Sequence, residues 1–72
     1  MYTNIFELSA IYDSRKSFYG KARVLVDENG VYYLLSYDTI VAKVENGTYE
    51  SYGNYSQTTT RHQKEFKRQF AK

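Results

Sequence analysis

For most of this chain, apolar and polar residues alternate with a period of two, the signature of strands with one face toward a core. Phe6, Leu8, Ala10 and Tyr12 alternate with Glu7, Ser9, Ile11 and Asp13, which predicts a first strand over about 4–12, with Ile11 against the pattern. The polar stretch Asp13-Ser14-Arg15-Lys16-Ser17 reads as a turn. Phe18, Gly20, Ala22, Val24 and Val26 then alternate with Tyr19, Lys21, Arg23, Leu25 and Asp27, giving a second strand over 18–27 with one clearly apolar face. Glu28-Asn29-Gly30 follows. Asn-Gly is a strong hairpin signal, because a type I′ turn needs positive φ at both central residues. In a third strand over 31–37, Val31, Tyr33, Leu35 and Tyr37 share one face, while Tyr32, Leu34 and Ser36 share the other. A tight turn near Asp38 leads to a fourth strand over 39–45, where Ile40, Ala42 and Val44 alternate with Val41, Lys43 and Glu45. Glu45-Asn46-Gly47 repeats the hairpin signal, and a short polar strand over 48–52 reads as an edge. The flanks of the two Glu-Asn-Gly turns do not match, so they mark two similar hairpins rather than a repeat.

After Gly53-Asn54 the period changes. His62, Phe66 and Phe70 fall on one helical face, with Thr59 a turn earlier, and a helix is predicted over about 57–71. Arg61, Lys64, Arg68 and Lys72 lie toward the other side around Glu65, which suggests surface pairs Arg61–Glu65 and Glu65–Arg68. Thr58-Thr59-Thr60 suit a helix start better than a helix interior. Thr60-Arg61-His62-Gln63 fits a capping box, and Ser56 is the alternative cap. An anion at the free N–H groups of that start is the ligand alternative. The fold class is therefore α+β: an antiparallel meander of four to five strands, with one C-terminal α-helix packed on one sheet face to cover its apolar side.

Length limits the chain to one small domain over 1–72 with a small core. With no Cys, disulfides and thiolate metal sites are excluded, which suits a reducing cytoplasm. No apolar run approaches the roughly 20 residues of a membrane span, and the N-terminus has no signal-peptide pattern. Neither membrane association nor a cofactor is expected. A net charge of +2 excludes a strongly acidic nucleic-acid mimic, yet is too weak to imply nucleic acid by itself.

His62 is the only histidine. On an apolar helix face it reads as a packed, hydrogen-bonded core residue. Catalysis would require a carboxylate and a nucleophile in reach. Asp13, Asp27 and Asp38 stand at no interpretable spacing from it, and there is no phosphate loop, metal-ligand cluster or carboxylate pair, so no enzyme is expected. The basic residues carry the better signal. Lys21 and Arg23 project from the second strand beside Tyr19, and Arg61, Lys64 and Arg68 follow on the helix. Aromatics interleaved with cations can stack bases and neutralise phosphates, whereas the bland reading is a solvated face with ordinary surface tyrosines. Tyr19, Lys21, Arg23, Arg61, Lys64 and Arg68 are the candidate nucleic-acid-binding residues. Nine tyrosines exceed what so small a core absorbs. Exposed Tyr with Arg also suits a protein interface, and the polar edge strand could pair with a partner or with a second copy as a homodimer.

Three stretches carry a resemblance that spans most of the chain: Ser17-Phe18-Tyr19-Gly20-Lys21-Ala22, Ser36-Tyr37-Asp38-Thr39-Ile40-Val41-Ala42, and Tyr55-Ser56-Gln57-Thr58-Thr59-Thr60-Arg61-His62-Gln63-Lys64-Glu65-Phe66-Lys67-Arg68-Gln69. Together they resemble a family of short, largely uncharacterised proteins from phages, plasmids and other mobile elements of low-GC Gram-positive bacteria. The motif of the last stretch, Y-S-x-T-T-x-R-H-x-x-E-F-x-x-Q, is quite specific. This chain departs from the family at Gln63 and Lys67, where relatives tend to be apolar, which implies a narrower apolar stripe and a more basic helix. The resemblance lends a context without assigned site residues. It implies an accessory protein that binds nucleic acid or, alternatively, an inhibitor or modulator of a host protein, such as an anti-defence factor of the anti-CRISPR kind.

Overall fold

The computed structural model describes residues 2–12, 18 and 20–72. Five strands form one antiparallel sheet in sequence order: β1 (Tyr2–Glu7), β2 (Ala22–Asp27), β3 (Tyr32–Ser36), β4 (Thr39–Glu45) and β5 (Thr48–Ser51). The helix α1 (Gln57–Phe70) lies across β3 and β4. This is the expected meander with one covering helix.

Register explains the core. Ala22 and Val24 of β2 stand opposite Ser36 and Leu34, and Leu34 stands opposite Ala42. Phe6 and Tyr49 extend the same face across β1 and β5. On the helix, Thr59, His62, Gln63 and Phe66 turn toward it and are buried. Leu8, Phe18 and Val41 complete the apolar cluster around Phe66.

Three local departures from strict alternation have physical causes. First, β1 ends at Glu7 rather than near residue 12. Leu8 N–H still reaches the Ala22 carbonyl at 2.9 Å, but a tight turn from Ile11 N–H to the Ser9 carbonyl then bends the chain onto the helix. Second, β2 starts at Ala22 rather than 18, because a turn from Phe18 to Lys21, with Gly20 at φ 77°, precedes it. The expected polar turn 13–17 and Tyr19 lie outside the described residues. Third, β4 carries a bulge. Leu34 faces Ala42 and Leu35 faces Ile40, so Val41 is the extra residue. The bulge turns Val41 into the core and leaves Ile40 on the other sheet face, opposite to the expected alternation.

The two Asn-Gly turns also differ. Asn46 and Gly47 both have positive φ (54° and 81°), as type I′ requires. At the first turn only Gly30 is positive. Gly30 N–H bonds to the Asp27 carbonyl at 3.1 Å, and Asp27 N–H bonds to the Val31 carbonyl at 3.1 Å, so the loop is one residue longer. The Asp27 carboxylate supports it by accepting from Asn29 N–H (2.8 Å), Val31 N–H (3.0 Å) and the Tyr33 hydroxyl (3.1 Å).

Candidate nucleic-acid interface

The helix start is set by Ser56 rather than by the Thr60 capping box. Ser56 has extended backbone, and its Oγ accepts from Thr59 N–H at 3.3 Å. That frees Thr59 for the core, where its hydroxyl meets Ser36 Oγ at 3.1 Å. Ser36 Oγ also lies 2.9 Å from His62 Nδ1. This Ser–His contact has the spacing of a nucleophile and its base, but Ser36 and His62 are 2% and 1% exposed, so no substrate reaches the hydroxyl. The group ties the helix to β3 and satisfies its own buried polar atoms. His62 packs edge-on against Phe18, with ring centroids 4.7 Å apart.

Gln63 does not narrow the helix's buried stripe. It is buried, and its Nε2 donates to the Val41 carbonyl at 3.0 Å and to Ser51 Oγ at 3.2 Å. The side chain thus bonds to the bulge residue itself. Glu65 is not a surface charge either. It is 2% exposed, and Tyr12 N–H donates to both its carboxylate oxygens at 2.9 and 3.1 Å. Gln69 Nε2 bridges the same carboxylate (2.7 Å) and the Ser9 carbonyl (2.6 Å). Glu65 and Gln69 together fasten the segment after β1 along the helix.

Turning Glu65 inward changes the electrostatics of the outer face. It is the sole acid between Ser56 and Lys72. With it buried, the exposed side of the helix presents Lys64, Lys67 and Arg68, and Lys72 follows beyond the last turn. Arg61 is half-buried in the second turn of the helix. Tyrosines from other elements flank this row. The Arg68 guanidinium sits 5.6 Å from the Tyr12 ring centroid, and Lys67 Nζ sits 5.5 Å from that of Tyr49. Burial raises the Tyr49 hydroxyl above its ordinary pKa.

The strand-two candidates lie elsewhere. Arg23 alternates with the buried Ala22 and Val24, which places it on the sheet face away from the helix. There its Nη2 donates to the Tyr37 carbonyl at 3.2 Å and lies 3.7 Å from Asp38 Oδ1, while its Nε is buried without a partner. Arg23 therefore braces the β3–β4 turn and does not join the helix cations. Lys21 is exposed, with Nζ 5.9 Å from the Tyr37 ring centroid. That ring is 6.1 Å from His62, so Lys21 borders the helix start.

Tyr37 is the residue that sequence patterning missed. It occupies a two-residue turn between the paired Ser36 and Thr39, with φ at 56°. A bulky residue in the left-handed region is a genuine outlier, costing about 1–2 kcal/mol relative to glycine. Its backbone is pinned by its N–H to the Lys21 carbonyl (2.7 Å) and by Arg23, yet the side chain is 46% exposed. Nothing in a period-two pattern signals φ, so only the structure singles it out.

The other sheet face has Ile5, Leu25 and Tyr33 in one row and Glu7, Arg23, Leu35 and Ile40 in the next. Tyr2 adds an edge-on ring 5.5 Å from Tyr33. Among the described residues, no group of His, Cys, Asp and Glu could hold a metal ion, and no helix is long and apolar enough to cross a membrane.

Comparison with known proteins gives a family and nothing further. A family of unknown function (DUF8033) matches residues 6–72. No curated protein and no solved structure matches the chain.

Proposed function

We propose, for a chain that belongs to the DUF8033 family of unknown function, a non-catalytic role in binding nucleic acid through the outer face of its C-terminal helix. The observation that carries this reading is the burial of Glu65, which leaves Lys64, Lys67 and Arg68 as the charged side chains exposed on that helix. Lys64, Lys67 and Arg68 meet the phosphates, Lys21 extends the surface past the helix start, and Tyr12, Tyr37 and Tyr49 flank the cations as stacking surfaces. Arg23 supports the turn behind the surface, and Arg61 sits at its rim. The sealed Ser36–His62 contact favours binding over catalysis. A phage or mobile-element accessory protein in the cytoplasm of its bacterial host is the setting that fits such a small basic binder.

The test is a fluorescence-polarisation titration against short single-stranded and duplex DNA and RNA at about 50 and 200 mM salt. Binding should weaken by roughly 0.9 log units per log of salt for each phosphate neutralised on duplex DNA. Lys64→Glu combined with Arg68→Glu should weaken it strongly without unfolding the chain. The absence of saturable binding at the lower salt refutes the reading.

A second reading, a modulator of a host protein, is favoured by the open sheet face, where Tyr2 and Ile5 are exposed beside Leu25 and Tyr33. A flat titration together with capture of one defined host protein, lost on Ile5→Glu, would put that reading first.

A further inference from the structure

We propose that Tyr37 is a base-stacking residue of the cationic surface, and that the ligand of this surface is single-stranded rather than duplex nucleic acid. The proposal rests on the nucleic-acid reading above and adds the strandedness and a residue. Its starting point is a conflict between local and tertiary preference. A two-residue hairpin turn with positive φ takes glycine or asparagine at no steric cost. This turn instead holds tyrosine at φ 56°. The core accounts for only part of the choice, because the ring packs 6.1 Å from His62 while nearly half of the residue is in solvent. Among the described residues, no hydrogen bond reaches its hydroxyl. Backbone strain kept at an exposed aromatic is characteristic of functional positions.

The surroundings specify the chemistry. The Tyr37 backbone is held on both sides, by its N–H to the Lys21 carbonyl and by Arg23 to its own carbonyl, so the ring is presented from a fixed base. Lys21 Nζ stands 5.9 Å from the ring centroid. The ammonium lies over the ring, and when the flexible lysine swings aside the pair matches one nucleotide unit, the base on the ring and the phosphate at the cation. Bases in a duplex already stack on their neighbours, and a ring at a turn tip meets only their sugar–phosphate edge. Unpaired bases can leave the stack and lie on the ring.

The experiment compares wild type with Tyr37→Asn, Tyr37→Gly and Tyr37→Phe, using a thymidine oligonucleotide and a duplex of equal length at about 50 mM salt, with thermal unfolding of each variant. Tyr37→Asn and Tyr37→Gly should lose about tenfold in single-strand affinity, the order expected for one stacked base. Their duplex binding should be unchanged and their Tm no lower than wild type, since both residues accept the left-handed backbone. Tyr37→Phe should bind single strands like wild type. Wild-type single-strand affinity in Tyr37→Asn overturns the proposal, as does an equal loss for duplex or a fall in Tm that accompanies the loss. If the Lys64→Glu/Arg68→Glu protein loses binding while Tyr37→Asn does not, the stacking role falls and the nucleic-acid reading stands. If wild type binds neither oligonucleotide, both fall.

Discussion

Replacing Glu65 with alanine separates the surface and buried roles of that residue by magnitude. As one member of surface pairs with Arg61 and Arg68, the carboxylate would contribute about 0.2–0.5 kcal/mol per pair, at most about 1 kcal/mol in all. The structure buries it and gives it the Tyr12 N–H at 2.9 and 3.1 Å and the Gln69 amide at 2.7 Å. Hydrogen bonds to a charged group are worth about 1.5–3 kcal/mol, and the methyl that replaces the carboxylate leaves the Gln69 amide without that partner. Tyr12 is mostly exposed, so its freed N–H can hydrate, which limits the loss. The expected destabilisation is about 1.5–3 kcal/mol. That is a large share of the roughly 4–11 kcal/mol available to a chain of this length. At about 4–8 °C per kcal/mol, Tm should drop by at least about 6 °C. Urea unfolding gives the free energy, and amide exchange gives the location, because the Tyr12 amide should lose its protection while those of β3 keep theirs. A change below about 1 kcal/mol with Tyr12 exchange unaltered would refute the buried-latch account and return Glu65 to the surface.

Gln63→Leu should change stability by less than about 1 kcal/mol. Its partners stay satisfied without it, because the Val41 carbonyl still accepts from Tyr52 N–H at 3.0 Å and Ser51 Oγ still bonds with Gly53. Gln63→Ala leaves a gap against the bulge and should cost about 1–3 kcal/mol in urea unfolding, so a Leu variant as unstable as the Ala variant would contradict the geometry. The Asp27 carboxyl lies below its ordinary pKa, held there first by the Val31 N–H and further by Asn29 and Tyr33. A depressed folded value means the stabilisation is present above the unfolded value of about 3.9 and fades as pH falls through the folded one. Wild type should therefore lose more Tm than Asp27→Asn between about pH 5 and pH 2, and parallel Tm profiles would count against that role.

Alternation, hairpin dipeptides and a change of period near residue 54 were enough to define the meander, the strand order and the covering helix, because each is a local property of neighbouring residues. The same patterning identified His62 as a core residue and Phe66 as its neighbour on the buried face. It misjudged residues whose roles depend on distant partners. Gln63 and Glu65 are polar, and polarity alone places them outside; they are inside because a bulge carbonyl and the backbone of Tyr12, 53 residues away from Glu65, meet them there. Lys21 and Arg23 look like one patch with the helix cations until the pleat places Arg23 on the far side of the sheet. Tyr37 could not be found from side-chain pattern at all, since its distinction is a backbone angle. Local sequence thus determined which elements form and which faces they hide. Tertiary structure decided which polar groups could be buried, because burial is favourable only where the folded chain supplies the matching donor or acceptor, and that choice leaves the exposed charges of the helix positive.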